Sequence, residues 1–599
     1  MNRFDESMAI ARRAMLVVAP ALLLMLWSLP VGGPATAQAS LAPTVLWAAP
    51  IGTTDTAEDE ADGISMDSDG NTVVSGVFRG EISLGKETFQ SRGEGDIFLV
   101  SYSPGGVVRW ARQFGGPGDE NTFDLKTDGS GNIVASGWFT GDVDFGGIPL
   151  SSAGSTDMFL LKFNSKGKAL WARSFGGPLG DGGNELDVLP DGRMAVAGIS
   201  AGGFTVGDRT YPFGGGARDS YAMRLDSSGE VKWVREFNGP GTERIRAIDI
   251  NSDGQVFVGF QYRVSVQTEA FIQTSRGGWD GALAKLSRTG VPAWLLPFGG
   301  AGEDNVRGLA SGPDGSVYAS GLFHGPAVLG DRQVEDVGGL GDDYLMRVSS
   351  EGDSGWLVTV AGAGIGTGGE IRSDGYGVVM SSLVSGDLEI AREGRSVGSF
   401  GPPGGNPTSY LAGFNPAGEL RFNYSPEAIR FGSAALGDVL GISPDGRYIA
   451  QAVRFRGTLQ AGETSLNTES QKDSAVIYLR TDVPARTPAR LKIMKVAPPK
   501  LKLRKGADRK VTFKIRNRGE IVAKKVKLCP QTTRSLKKKI RVPSCRRVGS
   551  IRGGAARKVR LRISARQGGG ASRRASLKVK LKSKNAASRT VRIRIRLLG

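Results

Sequence analysis

Residues 157–177 read DMFLLKFNSKGKALWARSFGG and decide the fold of this chain. The stretch holds an apolar segment, a turn at Gly167, a second segment opened by Trp171, and a Phe-Gly-Gly end. Variants of it recur along most of the chain, and its Trp position is filled at a nearly constant interval by Trp47, Trp110, Trp171, Trp233, Trp294, Trp356 and Phe422. A period this regular predicts a repeat protein in which each unit packs against its neighbours. We interpret these seven aromatic residues as packing residues between units.

The repeated unit, from one member of this aromatic series to the next, contains four short segments with strand character, separated by turns. One turn has a Gly after Asp or Ser in every unit, and a second Gly lies four residues before Trp110 and before each later member of the aromatic series. Glycine accepts the positive φ that tight turns between antiparallel strands require. The segment 157–163 is apolar on both faces, which is typical of a sheet packed between two other sheets. Four-stranded sheets stacked around an axis form a β-propeller, so we predict an all-β chain with a seven-bladed β-propeller at 44–482.

The two ends of this region predict how it closes. Residues 44–50 form a lone strand around Trp47, whereas the last unit ends at 475–481 without a strand of this type. We therefore predict that the N-terminal strand pairs with 475–481 and completes the last blade. This pairing would cover two exposed sheet edges.

The repeated units resemble the bacterial β-propeller repeats called SBBP, which are found in secreted proteins. The resemblance rests on W-A-R-x-F-G-G, on the D-G-N turn and on D-x-F-L-x-K-F, and it covers residues 44–482. It implies the propeller fold. The segment N-S-K-G-K-A-L-W is also similar to the tryptophan-docking repeats of quinone-dependent dehydrogenases, but those units are shorter and come with an adjacent-cysteine pair that this chain lacks.

The N-terminus indicates export. Arg12 and Arg13 precede an apolar run at 14–29, and small residues follow at 35–39. This order is typical of a cleavable secretory signal, so we assign 1–39 to a signal peptide and predict a secreted, extracellular protein that could associate with the cell surface. The alternative is a membrane anchor, but an apolar run of this length, interrupted by Pro20, falls short of the roughly 20 residues that span a bilayer. No transmembrane segment is expected after cleavage.

The charge of the chain changes sharply near its C-terminus. The net charge is +18, but residues 491–599 hold 37 Lys and Arg against Asp508 and Glu520, so this part carries +35 and the rest −17. An asymmetry of this size indicates separate domains with different partners. The boundary is a linker at 483–490, VPARTPAR. Beyond it, apolar and basic residues alternate, which predicts strands with one buried face and a small basic Ig-like β-sandwich at 491–599.

Two further features of the basic domain bear on its structure. The segment 511–528, VTFKIRNRGEIVAKKVKL, resembles the Ig-like modules of the CARDB group, and this resemblance implies the fold more than an adhesive role. Cys529 and Cys545 are the only cysteines of the chain. In an exported protein we predict that they form one disulfide, with two free thiols or half of a metal site as the alternatives.

The basic domain also predicts an anionic partner. Phe513 is its only aromatic residue, so stacking on nucleic-acid bases is unsupported and we predict no nucleic-acid partner. Outside the cell, a cationic face would bind an envelope polyanion or an anionic lipid surface, with an affinity that falls as salt rises. The alternative is a charged solubilising domain without a specific ligand.

Two series of acidic residues recur with the repeat. The first lies at a fixed distance before the Trp in five units, with one counterpart in the last unit, and comprises Asp96, Asp157, Asp219, Asp280, Asp342 and Asp473. We interpret these as structural carboxylates that accept backbone hydrogen bonds. The second lies at a fixed distance after the Trp, in loops that would share one face of a propeller, and comprises Glu120, Asp181, Glu243 and Asp304. A ring of these acids would hold a basic ligand or a cation, with Ca²⁺ as the candidate cofactor; the alternative is that each pairs with an Arg such as Arg244 or Arg246, or stays solvated.

The remaining residues limit the chemistry. Residues 67–71, DSDGN, resemble part of a calcium loop but lack its later Glu, which favours a plain turn. His324 is the only histidine, which excludes multi-His zinc sites and argues against a Ser-His-Asp hydrolase. We predict a secreted, non-enzymatic binding or surface-association protein, with a protein or glycan ligand on the propeller. The alternative is an extracellular enzyme that uses paired carboxylates on the propeller face, for example on glycans.

Overall fold

The computed structural model describes residues 42–52, 59–337, 341–362, 368–384, 386–400, 408–425, 427–428, 439–481, 491–504, 506–517, 523–551, 555–566, 574–583 and 589–598. The chain divides into two units, Met1–Ser40 and Leu41–Gly599. The predicted signal peptide and the predicted linker at 483–490 lie outside the described residues, so both stay predictions. Within the described ranges, no helix has the length and apolarity to cross a membrane.

The described residues form antiparallel sheets almost throughout, which confirms the prediction of an all-β chain. The strands of the first three repeat units and the closing strand are β1 (Thr44–Ile51), β2 (Glu60–Met66), β3 (Thr72–Phe78), β4 (Glu81–Leu84), β5 (Glu87–Gln90), β6 (Asp96–Tyr102), β7 (Val108–Phe114), β8 (Glu120–Thr127), β9 (Ile133–Phe139), β10 (Asp142–Asp144), β11 (Pro149–Ser151), β12 (Asp157–Phe163), β13 (Ala169–Phe175), β14 (Asp181–Val188), β15 (Met194–Ser200), β16 (Phe204–Val206), β17 (Arg209–Tyr211), β18 (Asp219–Leu225) and β19 (Val231–Phe237).

The next four units contain β20 (Glu243–Ile250), β21 (Val256–Tyr262), β22 (Ser265–Gln267), β23 (Ile272–Thr274), β24 (Asp280–Leu286), β25 (Pro292–Gly300), β26 (Gly308–Ser311), β27 (Val317–Phe323), β28 (Ala327–Leu329), β29 (Arg332–Val334), β30 (Asp342–Val348), β31 (Ser354–Gly362), β32 (Glu370–Ser373), β33 (Val378–Val384), β34 (Leu388–Arg392), β35 (Arg395–Phe400), β36 (Thr408–Phe414), β37 (Leu420–Tyr424), β38 (Glu427–Ala428), β39 (Val439–Ile442), β40 (Tyr448–Ala461) and β41 (Thr464–Arg480).

Most of these strands build seven antiparallel sheets of four or more strands, numbered in chain order. They are sheet 1 (β2-β3-β6-β7), sheet 2 (β8-β9-β12-β13), sheet 3 (β14-β15-β18-β19), sheet 4 (β20-β21-β24-β25), sheet 5 (β26-β27-β30-β31), sheet 6 (β32-β33-β36-β37) and sheet 7 (β39-β40-β41-β1). Short hairpins such as β4-β5 connect the second and third strands, and β28-β29 and β34-β35 pair onto the last strand of the preceding sheet. The four-strand unit predicted from the turns is therefore present.

The predicted pairing of the N-terminal strand is confirmed. Strand β1 pairs antiparallel with β41, from Thr44 opposite Arg480 to Ile51 opposite Ser474. The hydroxyl of Ser474 accepts a hydrogen bond from the Ala61 N–H at 3.0 Å, so β41 of sheet 7 also contacts β2 of sheet 1. Two strand edges that would otherwise be open are covered by this arrangement.

The apolar cores lie between consecutive sheets. Each of seven clusters of buried residues joins one sheet to the next, as Leu160 of sheet 2 packs with Val196 of sheet 3. The series also closes on itself, because sheet 6 shares a core with sheet 7, and sheet 7 shares one with sheet 1 through Tyr478 and Phe98. Strand β12 is buried along its whole length, as its two apolar faces indicated.

The repeated Trp and the repeated Gly meet between units. The indole N–H of Trp110 donates to the Ser165 carbonyl at 3.1 Å, in the hairpin turn of the next unit, and Trp233 does the same to Arg288 at 3.1 Å. A Cβ on Gly167 would lie 2.8 Å from the Trp110 ring, so only glycine fits there. In the aromatic series, Phe422 is buried, Trp233 and Trp356 are 9% exposed, and the other four Trp residues are half-buried.

Residues 491–598 have a separate core and two sheets. Their strands are β42 (Leu491–Ala497), β43 (Lys500–Leu503), β44 (Asp508–Asn517), β45 (Ala523–Gln531), β46 (Ile540–Arg541), β47 (Arg546–Ile551), β48 (Ala556–Ala565), β49 (Arg574–Lys582) and β50 (Arg589–Leu597), with a short helix α1 (Arg534–Lys539). One sheet has the order β42-β44-β48-β46 and the other β43-β50-β49-β45-β47. Their inward residues form one apolar cluster, and the predicted Cys529–Cys545 disulfide is present.

Candidate functional site

The predicted acid ring does not lie on an open surface. Glu120, Asp181 and Glu243 begin the first strands of sheets 2, 3 and 4, and Asp304 precedes the first strand of sheet 5. All four side chains are at most 2% exposed. Among the described residues, no group of three or more His, Cys, Asp or Glu converges as a metal site would require. The binding role of these four acids, with Ca²⁺ or a basic ligand, stays a prediction.

The second acid series instead holds the Gly-Gly loop that follows each repeated Phe. Glu120 Oε2 accepts the Gly116 N–H at 2.9 Å, and Asp181 Oδ2 accepts the Gly177 N–H at 2.7 Å. Asp304 Oδ2 likewise accepts the Gly300 N–H at 2.8 Å. A carboxylate that accepts a backbone N–H makes a strong, charge-assisted hydrogen bond, so these acids fix the loops that lead into the next sheet.

The first acid series does the same for the loop before its own strand. The Ala153 N–H donates to Asp157 at 2.9 Å, and the Arg276 N–H donates to Asp280 at 2.8 Å. Asp342 accepts the Val337 N–H at 2.7 Å. This geometry agrees with a structural role for the series.

Neighbouring members of the two series form pairs across consecutive sheets, and their ionisation is shifted. Burial raises the pKa of Glu120 to about 7, with smaller contributions from Asp96 and Asp119. Burial and the Asp219 carboxyl raise the pKa of Glu243 to about 8. Because these carboxyl groups are buried, they are out of reach of a glycosidic bond in a soluble substrate, and a carboxylate-based enzyme gains no support from them.

Residues 67–71 are a self-contained turn. Asp67 accepts the N–H of Asp69 at 2.8 Å, the N–H of Asn71 at 3.0 Å and the side-chain amide of Asn71 at 2.8 Å. The carboxylate is therefore satisfied within its own turn, as a local Asp turn requires.

A set of acids on the first strands of the sheets escaped the sequence analysis. Asp124 accepts the Leu186 N–H at 3.0 Å, Asp187 the Ile250 N–H at 3.0 Å, and Asp249 the Ser311 N–H at 3.1 Å. Each bond links one sheet to the next. The sequence does contain a signal for this set, because Asp124, Asp187 and Asp249 recur with nearly the same period as the aromatic series.

Two cations neutralise part of this inner acid set. Arg372 of sheet 6 pairs with Glu370 and lies 3.8 Å from Asp124 of sheet 2, while Lys126 pairs with Asp124. Burial, with the nearby Asp187 second, raises the pKa of Asp249 to about 7. First strands of sheets distant in the sequence thus meet in one polar cluster, and its members mostly bind one another.

The C-terminal domain presents its cations outward. We define the five-strand face by nine of the exposed basic residues on the sheet β43-β50-β49-β45-β47, namely Lys500, Lys502, Lys527, Arg547, Lys578, Lys582, Arg592, Arg594 and Arg596. On the sheet β42-β44-β48-β46 the corresponding four-strand face comprises Lys492, Lys510, Lys514, Arg516, Lys558, Arg560 and Arg562. The predicted alternation of buried apolar and outward basic residues is therefore present on both sheets.

Cations on these faces lie opposite other cations. On the five-strand face, Lys502 is opposite Arg596 and Lys578 is opposite Arg592. Like charges directly across a strand pair destabilise a sheet. Within the described residues the domain has one acid, Asp508, which belongs to the sheet β42-β44-β48-β46. Its Oδ2 lies 3.2 Å from Nε of Arg562 on the same sheet. Both side chains of that ion pair are exposed, so it contributes little.

Comparisons with known proteins give partial matches. No protein-family model matches the chain. The chain is 29% identical over 202 residues to the regulatory protein FlaEY of Caulobacter vibrioides, covering 32% of this chain and 21% of FlaEY. It is 23% identical over 241 residues to an uncharacterized WD repeat-containing protein of Acanthamoeba polyphaga mimivirus, covering 34% of this chain and 17% of that protein. The chain thus spans about a fifth of the length of these curated relatives.

Solved structures are similar only at a low level. A puromycin hydrolase mutant aligns with 72% of this chain and 61% of its own, at 14% identity and a TM-score of 0.31. A DUF4221 family member from Bacteroides vulgatus aligns with 57% of this chain and 91% of its own, at 11% identity and a TM-score of 0.28. Scores of this size establish no shared fold, so the architecture described above rests on the strand pairing alone.

Proposed function

We propose that this chain is a secreted surface-association protein, in which a seven-bladed β-propeller of the SBBP type precedes a basic Ig-like domain of the CARDB type. The basic domain attaches the protein to an envelope polyanion or anionic surface. The propeller is the platform for a protein or glycan ligand.

The closed series of sheets supports the propeller. Each of the seven sheets shares one core with the sheet before it and another with the sheet after it, and sheet 7 shares one with sheet 1. Strand β1 completes sheet 7 from the opposite end of the region. Four-stranded sheets connected in this cyclic order are the arrangement that a propeller requires.

One observation carries the attachment role, namely the cation-to-cation pairing on the five-strand face. Lys500 lies opposite Arg594, Lys502 opposite Arg596, and Lys527 opposite Lys582. In the free domain the two cations of each pair repel each other. An anion placed between them attracts both. A surface that is unfavourable alone and favourable with anions is what a polyanion-binding face requires.

The spacing of the cations favours a repeating anion over a single one. Arg592, Arg594 and Arg596 lie at every second position of β50, with further cations on both neighbouring strands. Residues two apart on a strand are about 7 Å apart, and neighbouring strands are about 4.8 Å apart. A polymer or lipid surface with many charges can contact such a grid at several points, and nucleic acid is disfavoured because exposed aromatic stacking residues are missing from residues 491–599.

The test uses the full secreted chain. Its binding to purified bacterial envelopes, to vesicles with anionic lipid and to vesicles with neutral lipid alone is measured as NaCl rises. We expect binding at low salt and release towards 1 M, where the Debye length is about 3 Å instead of about 10 Å at 0.1 M. Binding that persists at 1 M salt would contradict electrostatic attachment, and no binding at low salt would leave only a solubilising role.

A matched pair of variants tests which face binds. The variant K578Q/R592Q/R594Q/R596Q removes four cations from the five-strand face, and K510Q/K514Q/K558Q/R562Q removes four from the four-strand face. Cations lie opposite cations on the four-strand face as well, Lys510 opposite Arg562 and Lys514 opposite Lys558. We expect the first variant to lose more of the low-salt binding than the second, because the five-strand face carries more exposed cations. Equal losses would show that only net charge matters.

A further inference from the structure

Four pairs of buried carboxyl groups repeat between consecutive sheets. Each pair joins the Asp that begins the third strand of one sheet to the acid that leads into the first strand of the next. The pairs are Asp96 with Glu120, Asp157 with Asp181, Asp219 with Glu243, and Asp280 with Asp304. All eight side chains are at most 7% exposed.

The pairs retain buried oxygen atoms to which no described N–H or O–H group donates. Such atoms are Glu120 Oε1, Asp157 Oδ1, Asp181 Oδ1, Asp219 Oδ1, Asp280 Oδ1 and both carboxyl oxygens of Glu243. An ionised carboxyl group with an unsatisfied buried oxygen is unfavourable, and taking up a proton removes the buried charge. These atoms therefore need a partner that protein donors do not supply.

At two of the four pairs, the structure shows that the two carboxyl groups approach each other. The Asp219 and Glu243 side chains are neighbours, and each affects the ionisation of the other. At the fourth pair, the point where a Cβ on Gly299 would lie is 2.7 Å from Asp280 Oδ1 and 3.1 Å from Asp304 Oδ2. Both carboxyl groups converge on this glycine, and two carboxylates in that position cannot both stay ionised at low cost.

We propose that each of these four pairs holds one proton between its carboxyl groups in the folded protein. The four contacts between consecutive sheets, from sheet 1 to sheet 5, are therefore stabilised in acid and weakened in alkali. The proton makes the carboxyl-to-carboxyl hydrogen bond and removes one of two like charges. This inference does not depend on the proposed attachment function.

The direction of the pKa shifts agrees with shared protons. Burial raises the pKa of Glu243 to about 8 and of Glu120 to about 7, with the paired Asp as a further cause in each case. Burial also raises the pKa of Asp181 and of Asp304 to about 6, although backbone N–H groups oppose it.

Other charged and titratable groups face the pairs. Arg79, Arg92, Glu94 and Asp119 face the first pair, and Tyr221 with Ser200 faces the second. Glu236, with Arg209 beside it, faces the third; Arg276, His324, Tyr262 and Tyr344 face the fourth. Among the described residues, the third pair thus has an additional acid beside it and no Lys or Arg in an ion pair with either member. It should hold its proton most tightly.

The expected effect on stability follows from proton linkage. The folded pKa values lie above those of unfolded Asp and Glu, about 3.9 and 4.3. The folded protein therefore holds protons that the unfolded chain releases, so this stabilisation is complete below about pH 4 and is lost as pH rises through about 6 to 8. Acids paired with cations behave in the opposite way.

The test measures unfolding of the full chain by urea from about pH 5 to about pH 9, from which the number of protons released on unfolding is obtained. The variants are Glu243→Gln and Glu120→Gln, whose amide can donate to the paired Asp without a proton. Each should lower the number of protons released near neutral pH by about one and flatten the fall of stability towards alkali. The control, Asp208→Asn in an exposed turn, should change neither.

A second readout does not depend on how well a variant folds. The infrared band of protonated buried carboxylic acid should be visible in the wild-type protein at neutral pH and should weaken in Glu243→Gln. Absence of that band, or a wild-type stability that does not fall between neutral and alkaline pH, would overturn the proposal. If millimolar CaCl₂ restores the alkaline stability of the wild type but not of Glu243→Gln, the pairs are cation sites instead, and the shared proton is wrong.

Discussion

The seven sheets and the C-terminal domain use charge in opposite ways. Residues outside 491–599 carry a net charge of −17, and many of their acids are buried acceptors of backbone N–H groups, as Asp157 and Asp124 are. Residues 491–599 carry +35, and their cations point outward beside other cations. In the seven sheets, carboxylates hold loops and neighbouring sheets together. In the C-terminal domain, the cations are exposed at the surface.

Side-chain chemistry explains the difference. A carboxylate only accepts hydrogen bonds, so a short acid at a strand start can satisfy the N–H groups of the adjoining loop. Lys and Arg only donate, and their long side chains keep the charge in water while apolar residues fill the core. The acids of the sheets are therefore expected to govern stability, and the cations of the C-terminal domain to govern binding.

The largest expected effect is loss of closure of the seven-sheet region. Deleting residues 44–51 removes β1 from β41 and exposes the core between sheets 7 and 1, in which Ile51 is fully buried. We expect the thermal transition of this region to be lost or lowered by many degrees. The C-terminal domain has its own core and should keep its transition, which would separate the two regions directly.

Two point variants refine the closure test. Ile51→Ala removes a fully buried side chain and should cost about 2–5 kcal/mol, whereas Leu46→Ala on the same strand changes a side chain that is 42% exposed and should cost much less. Differential scanning calorimetry gives both values. Similar, small effects for both variants would mean that β1 does not close the region.

The next effect belongs to the basic domain. Replacing both Cys529 and Cys545 with Ser opens a link between residues 16 apart, worth about 3 kcal/mol in the chain-entropy model. We expect the transition of the C-terminal domain to fall and that of the sheets to stay unchanged. Thiol labelling of the unfolded, unreduced wild-type protein checks the bond, since two reactive thiols per chain would show that it is absent in the secreted protein.

The repeat and its closure were predictable because local chemistry imposes them. A positive φ at a turn such as Gly167, and a Trp whose indole reaches the next turn, must recur whenever the unit recurs. Counting these residues gives the number of sheets, and the unmatched strand at Trp47 gives the pairing with β41. The alternation in 491–599 predicted its two-faced sheets in the same local way.

The state of the acids was not predictable from local pattern. Glu243 follows a loop-like sequence, yet it is fully buried near Asp219, a residue of the preceding sheet. Asp124 was visible as a periodic acid, but its role depends on a strand in the next repeat unit. Spacing identifies which positions recur, whereas only the packing of one sheet on the next decides whether an acid faces water, a backbone N–H or a second carboxyl group.

The smallest expected effect tests whether the outward cations really repel one another in the free protein. Lys502 on β43 lies opposite Arg596 on β50, and both are exposed. Lys502→Glu replaces a like-charged pair by an oppositely charged one, so we expect the C-terminal domain to gain about 0.2–1 kcal/mol at low salt, and less at high salt. Lys502→Gln, which removes the repulsion without adding an attraction, should give a smaller gain. Urea unfolding at two salt concentrations measures both, and the same proteins should bind anionic vesicles more weakly, because stability is gained from the charges that attachment uses. If Lys502→Glu instead lowers stability at low salt, the cations of this face are already compensated within the protein, and the contrast between the two regions would not hold.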